Sequence, residues 1–324
     1  MQHDVPKCFA SLNDVPLNGG YVVVPFVAAA DTPIVFVEPD EVKEFSLRLP
    51  QYCPNTEITI ENELEERLAY SQSFSKSKQL LVDGLLNKIV LSRRMHVKST
   101  QTWNTEELFL RACQNRPNSF VSLWSTPQTG MWLVATPEPL LQKDDRCYKT
   151  VALAGTLPYD RECVPIWNAK NKNEQAVVAQ FIEEQIKEVC QDMKHSQCHT
   201  LHFGNIQHLC TDFTFTLKAN SDLRMFLKQL HPTPAVCGLP RHKALTAILE
   251  NETGNRKYYA GFSGPLNLKN ETNLFVSLRC AELFSQSAVL YAGGGIMPES
   301  IENEEWEETC RKLQTMLNVL KGKT

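Results

Sequence analysis

No run of apolar residues in this chain is long enough to cross a membrane as a helix. The longest, "YVVVPFVAAA" (Tyr21 to Ala30), is about half a span and contains Pro25, so it reads as a buried strand. No basic tail or stripe is present: 33 Lys and Arg face 37 Asp and Glu, a net charge of −4, which argues against nucleic acid as a partner. The 11 cysteines are odd in number and include no C-x-x-C pair, so reduced thiols are expected, not disulfides or a zinc site. There is no H-E-x-x-H, no G-x-G-x-x-G after a strand, and "GFSGP" is not a G-x-S-x-G elbow. These absences leave zinc hydrolysis, hydride transfer and serine-hydrolase chemistry without support. The first residues, "MQHDVPKCFASL", show no apolar core of a secretion signal, so a cytoplasmic protein is expected. The N-x-T sequences at Asn251 and Asn270 are then unglycosylated.

What is present suits a soluble chain with a large core: 42% hydrophobic and 22% charged residues over 324 positions. Residues 1–60 have strand composition in "GGYVVVPFV" and "TPIVFVE". Helical spacing runs from Glu61 to Leu86, and "NKIVLSRRMHV" follows as a strand. "TEELFLRACQ" is a helix with Thr105 as its N-cap, and "FVSLW" and "GMWLVAT" form a hairpin. "KTVALAGTLP" is a strand, "NEQAVVAQFIEEQIKEV" a helix, "FTFTLK" a strand and "PRHKALTAILEN" a helix. The strands "YYAGFSGPL", "NLFVSLRCAEL" and "AVLYAGGGIM" precede a closing helix. Strands come in consecutive groups, with no repeat or linker. The pattern predicts a single α/β domain of the α+β type over residues 1–324, with much antiparallel sheet.

Two helices place carboxylates where charge is unusual. At about 100° per residue, Val177, Val178, Phe181, Ile182, Ile186 and Val189 form a stripe close to the direction of Glu174, with Glu183, Glu184 and Lys187 opposite. Glu174 either emerges into solvent at the helix end or is buried and needs a cation, Lys170 or a metal. In the closing helix, Trp306, Cys310, Leu313, Met316, Leu317 and Leu320 form the apolar stripe, and Glu304, Glu307 and Arg311 point away. Glu305, Glu308 and Lys312 stack along one edge of that stripe, either as a surface Glu308–Lys312 pair or as a wall of oxygen donors. Carboxylates from two helices suit a hard cation such as Mg²⁺.

Read together and in order, "NKIVLSR", "LVATPEPLL", "ALAGTLP", "LHPTPAVCGLP", "YYAGFSG", "VSLRCAEL", "YAGGGIMPES" and "EEWEETCRKLQTML" resemble the chorismate-utilising enzymes. That family includes isochorismate, salicylate, anthranilate and aminodeoxychorismate synthases, and within it the chain looks most like isochorismate synthase. The resemblance covers residues 87–320; residues 1–86 form a shortened, less typical N-terminal part. It implies large, mostly antiparallel sheets flanked by helices, with a central active-site cleft.

By this resemblance Glu174 and Glu308 bind Mg²⁺ against the ring carboxylate of chorismate, and Glu305 supports the metal directly or through water. Asn171 stands where relatives often have an acid. Isochorismate forms when water adds at C2 and hydroxyl leaves C4, which needs a base and an acid on opposite sides of the ring. The resemblance makes Lys88 the base and Glu138 the acid. From the residues alone, Lys88 is either buried in an apolar strand, the setting a lysine base requires, or at its wet end. Glu138, between Pro137 and Pro139, is either a carboxyl held rigid in an apolar pocket or a plain loop glutamate.

Lys88 stands where ammonia-using relatives tend to have Gln, and Ala154 where aminodeoxychorismate synthases often carry a nucleophilic Lys. Both imply water as nucleophile and no glutamine amidotransferase subunit. The resemblance further implies that Arg279 holds the enolpyruvyl carboxylate, against a solvated outer-face arginine. Lys312 adds positive charge near a substrate carboxylate or balances the glutamates. Gly294 and Gly295 let backbone N–H groups approach an anion, where a glycine run otherwise means a turn. Thr156 and His231 line the ring, though His231 also fits a structural histidine. Tyr259 faces the pocket, as in salicylate formers. The reading is a Mg²⁺-dependent isochorismate synthase, monomeric, serving menaquinone or siderophore synthesis. Its alternatives are a salicylate synthase and a catalytically silent chorismate-binding protein.

Overall fold

The computed structural model describes residues 5–44, 46–47, 55–203 and 206–322. In chain order the elements begin with β1 (Lys7–Phe9), β2 (Gly20–Val24), β3 (Ile34–Val37), β4 (Ile58–Glu61), α1 (Glu63–Val82), β5 (Lys88–Ser99) and α2 (Thr105–Asn115). They continue with β6 (Phe120–Thr126), β7 (Gly130–Thr136), β8 (Pro139–Asp144), β9 (Cys147–Pro158), α3 (Ala169–Val189), β10 (Cys190–His195), β11 (His199–Phe203) and β12 (Ile206–Leu217). Then come α4 (Leu223–Leu230), β13 (Gly238–Leu239), α5 (Arg241–Asn251), β14 (Phe262–Leu266), β15 (Thr272–Val276), β16 (Cys280–Leu283), β17 (Ser287–Ile296) and α6 (Glu302–Lys321). No helix among the described residues is long and apolar enough to cross a membrane.

The strands form two antiparallel sheets. One has ten strands in the order β1-β3-β2-β14-β15-β8-β9-β12-β10, with β11 also on β12; the other has seven, β13-β5-β17-β16-β7-β6, with β4 also on β5. The N-terminal strands are woven into both, since β2 pairs with β14 and β4 with β5. Val22, Val23 and Val24 are all buried in β2, and Pro25, which has no N–H for a ladder, ends it. α2 and α6 cover one face of the smaller sheet around Leu108, Leu133, Leu290, Leu313 and Leu317. Each such leucine stabilises by roughly 1.5–3 kcal/mol.

Capping explains where the key helices start. The Asn168 side chain accepts from the Asn171 N–H and opens α3, whose buried residues Asn171, Glu174, Gln175, Val178, Ile182 and Ile186 recur at helical spacing. α2 is capped by Asn104, not Thr105: the Asn104 side chain accepts from Glu107 N–H and Thr105 is the first helical residue. α6 lacks a side-chain cap, but its first turn holds Glu302, Glu304 and Glu305, which the helix dipole favours.

Two segments leave the expected pattern. "NLFVSLRCAEL" is not one strand: β15 lies in the larger sheet and β16 in the smaller, and the chain switches sheets at Arg279, whose φ is 47°. The same switch occurs between β7 and β8, at Pro137 and Glu138. The two crossings are tied together, Val276 N–H donating to Glu138 O and Ala135 N–H to Arg279 O. In "YYAGFSGPL" the strand begins only at Phe262, because Tyr258 and Tyr259 lie in a turn where Lys257 and Ala260 have positive φ. The polar edge strand β10 has too little apolar alternation to be expected from sequence, whereas α4 carries Leu223, Phe226, Leu227 and Leu230 at helical spacing but spans only eight residues.

Candidate active site

The two sheet crossings and the glycine strand β17 surround a narrow cavity of about 50 Å³. Val90 and Gly293 come from the smaller sheet, Leu153, Thr156 and His208 from the larger, Glu174 from α3, and Glu308 and Lys312 from α6. Glu138, Tyr259, Arg279, Gly295 and Ala154 also line it. The cleft between sheets expected from the sequence is therefore present.

Glu138 is buried at the β7–β8 crossing, where its backbone N–H donates to Thr136 Oγ1. Burial pushes its carboxyl up to about 7, although Arg279, Lys88 and Lys312 pull the other way. It is thus not a plain loop glutamate but a group that carries a proton near neutral pH. Arg279 is also buried, not on a solvated face, and its left-handed backbone turns the side chain out of the strand into the cavity wall.

Lys88 is fully buried at the start of β5 and sits behind the cavity wall. Its Nζ is 3.0 Å from Glu174 Oε1, outside hydrogen-bond geometry, and has no hydrogen-bond partner. Gly295 makes room for this pair: a Cβ there would stand 2.0 Å from Glu174 Oε1 and 3.0 Å from Lys88 Cε. Gly294, on the other side of β17, does not line the cavity. Its bare Cα faces α6, where a Cβ would lie 3.5 Å from Glu308 Oε1 and 3.6 Å from Glu305 Oε2.

Glu305 and Thr309 belong to the buried stripe of α6, whereas Trp306 and Cys310 are only half-buried. Trp306 is held between the guanidinium groups of Arg67 and Arg93, which lie 4.9 Å and 3.7 Å from its ring centre. Glu304 and Glu307 are exposed, as their positions on the helix imply. Each inward carboxylate has its own lysine: Glu174 pairs with Lys88, Glu305 with Lys170, and Glu308 with Lys312 at 2.6 Å. Burial raises the Glu308 carboxyl, but the Lys312 ammonium outweighs it and holds the group below its ordinary range. Lys312 also donates to Gly293 O.

The donor chemistry fits a hard divalent cation. Three carboxylates lie along the glycine strand, Glu174 at Gly295 and Glu305 and Glu308 at Gly294, and the Asn171 side-chain oxygen is buried with no hydrogen-bond partner. A solvent-facing groove lined by Lys170, Asn171, Glu305 and Glu308 leads to them. Their oxygens do not close into one cluster, because each is turned to its lysine.

His231 does not line the cavity. Its Nε2 is 3.0 Å from Pro25 O and its ring packs edge-on against Phe262, and burial pushes the imidazole down to about 4. It is a structural histidine. The histidine of the cavity is His208, which the sequence reading missed. Its Nδ1 lies 2.9 Å from Gly155 O and 3.3 Å from Thr156 Oγ1. Burial, with Arg279 and Lys312 nearby, lowers it to about 3, so the ring is neutral. Tyr259 continues a column of stacked rings through Tyr291 to Trp132, which fixes the cavity wall.

A profile of the family described as chorismate binding enzyme matches residues 35–321, beginning well before residue 87. Isochorismate synthase EntC of Escherichia coli (strain K12) is 29% identical over 265 residues, covering 79% of this chain and 68% of EntC. Isochorismate synthase DhbC of Bacillus subtilis (strain 168) is 30% identical over 267 residues, covering 78% of this chain and 67% of DhbC. Among solved structures, DhbC from Bacillus anthracis superposes with a TM-score of 0.80 at 26% identity, covering 93% of this chain and 84% of that one.

Proposed function

The chain belongs to the chorismate binding enzymes, and on that premise we propose that it is a Mg²⁺-dependent isochorismate synthase, an isomerase that converts chorismate to isochorismate. Both curated relatives described above carry that name. The observation that carries the reading is Glu138, a carboxyl of the cavity that burial pushes up to about 7, with Glu174, the ion-pair partner of Lys88, in the same lining.

Arg279 offers its planar fork to one carboxylate of the substrate. In its neutral, deprotonated form, released from the ion pair with Glu174, Lys88 would take a proton from water, whose oxygen bonds to C2 while the ring double bond shifts. The C4–O bond breaks, and Glu138 delivers the proton with which the hydroxyl leaves as water. Water enters and water leaves, so the product is an isomer. Glu174 and Glu308 would hold Mg²⁺, with Glu305 directly or through water, and their lysines must turn aside. Bound there, Mg²⁺ supplies positive charge that neutralises and positions the ring carboxylate.

Ala154 lines the cavity where aminodeoxychorismate synthases often carry a nucleophilic Lys, so that position offers no amine to compete with water. That supports action without a glutamine amidotransferase subunit, with the isochorismate passing to menaquinone or siderophore synthesis. Tyr259 in the wall keeps salicylate formation as the second reading. Incubation of the purified protein with chorismate and Mg²⁺ separates them: isochorismate alone supports the proposal, and salicylate with pyruvate replaces it.

A further inference from the structure

Beyond the cavity, β12 and the edge strand β11 bring together three side chains that are far from a metal-binding motif in sequence. His199 and Cys210 are directly paired across the two strands, and Asp212, two residues after Cys210, shares its face. The donor atoms of His199, Cys210 and Asp212 all lie within 4.8 Å of one another, the sole such group of three among the described residues. His199 Nε2 is 3.6 Å from Asp212 Oδ2, and Cys210 Sγ is 4.0 Å from Asp212 Oδ1.

Supporting contacts orient these donors. His199 Nδ1 lies 3.3 Å from Gln197 O; donating its proton there leaves Nε2, the nitrogen that faces Asp212, as the lone-pair donor. Asp212 N–H donates to Ser196 Oγ and Asp212 O accepts from Ser196 N–H, pinning the strand at that point. Cys210 is buried, while the side chains of His199 and Asp212 are 42% and 54% exposed, so an ion has a route in from solvent. None of the three lines the cavity described above.

We propose that His199, Cys210 and Asp212 form a second cation site, for a zinc-class transition metal, that clips edge strand β11 to β12. A nitrogen, a sulfur and an oxygen donor suit Zn²⁺ or Co²⁺ and not Mg²⁺, and three protein ligands leave one tetrahedral position for water. Metal–ligand distances of about 2.0–2.3 Å require the donors to close in by about 1 Å, which rotation of the two exposed side chains provides. As the metal–sulfur bond forms, the Cys210 thiol proton leaves to solvent.

The test is titration of the chelator-treated full chain with Co²⁺ in excess Mg²⁺, which keeps the active-site carboxylates occupied. The expected result is one Co²⁺ per chain with a thiolate-to-cobalt charge-transfer absorption, displaced by Zn²⁺. The absorption vanishes in Cys210→Ser and persists in Cys198→Ser. His199→Ala, a change on an exposed edge that leaves the core intact, weakens binding by more than about tenfold. Absence of the absorption in the native chain, its survival in Cys210→Ser, its loss in Cys198→Ser, or unaltered affinity in His199→Ala overturns the proposal.

Discussion

Lys88 Nζ stands 3.0 Å from Glu174 Oε1, so the residue assigned as base and a carboxylate assigned to the metal form one buried ion pair between β5 and α3. Removing the lysine strands a buried carboxylate, at a cost on the order of 3–5 kcal/mol. A divalent cation at Glu174 replaces the missing charge. Lys88→Ala should therefore lose turnover by about 10²–10⁴-fold and gain more in melting temperature from Mg²⁺ than the native chain does. Thermal unfolding with and without Mg²⁺, beside kcat, checks both. Unchanged turnover would remove Lys88 from the mechanism.

Glu138 sets a pH signature. With its carboxyl raised to about 7 in the free protein, the acid form declines above neutrality, and kcat/KM should fall as pH rises through that value. Stability moves in the same direction. The folded state binds the proton more tightly than the unfolded chain, so the contribution is fully present below the unfolded value of 4.5 and is lost as pH rises to about 7. The change is on the order of 3 kcal/mol. Glu138→Gln should be inactive and should lose that part of the pH dependence of unfolding; retention of the slope would place the titration elsewhere.

Gly295 is specific to the site, whereas Gly84 answers only to backbone geometry. Gly295→Ala places a methyl 2.0 Å from Glu174 Oε1, so the pair must shift. A displacement near 1 Å costs about 100-fold in kcat/KM. Gly84→Ala, at φ 69° with nothing within 4 Å, should cost only about 1–2 kcal/mol of stability and leave activity alone. Equal activity losses in the two variants would contradict this division.

The two histidines separate in the same way. His231→Ala should lose the hydrogen bond to Pro25 O, about 1–3 kcal/mol, with kcat/KM intact. His208→Ala should lower kcat/KM, since its ring lines the cavity against Thr156 and Gly155. Activity loss in the first and not the second would reverse the assignment.

Much of this was legible in the residues. Strand and helix periodicity located β5, β9, α3, β17 and α6, and helical geometry alone brought Glu305, Glu308 and Lys312 to one face. The burial of Lys88 and Glu138 was not legible, because a lysine at a strand start looks the same wet or dry until the second sheet covers it. Arg279 was hidden for a related reason: "NLFVSLRCAEL" alternates like one strand, and only pairing with two different sheets breaks it. His208 sits in a stretch of β12 buried on both faces, with no local mark, whereas His231 stands in a conspicuous proline-rich block. The His199–Cys210–Asp212 cluster is invisible to spacing rules, since strand pairing assembles it.

In the proposed reaction water enters on one side of the chorismate ring and leaves from the other, so the product carries solvent oxygen. Reaction of chorismate with the purified protein and Mg²⁺ in ¹⁸O-labelled water tests it most directly. Isochorismate carrying one ¹⁸O at C2 is expected, formed without added ammonia and without pyruvate. Unlabelled isochorismate, salicylate with pyruvate, or unreacted chorismate would contradict it.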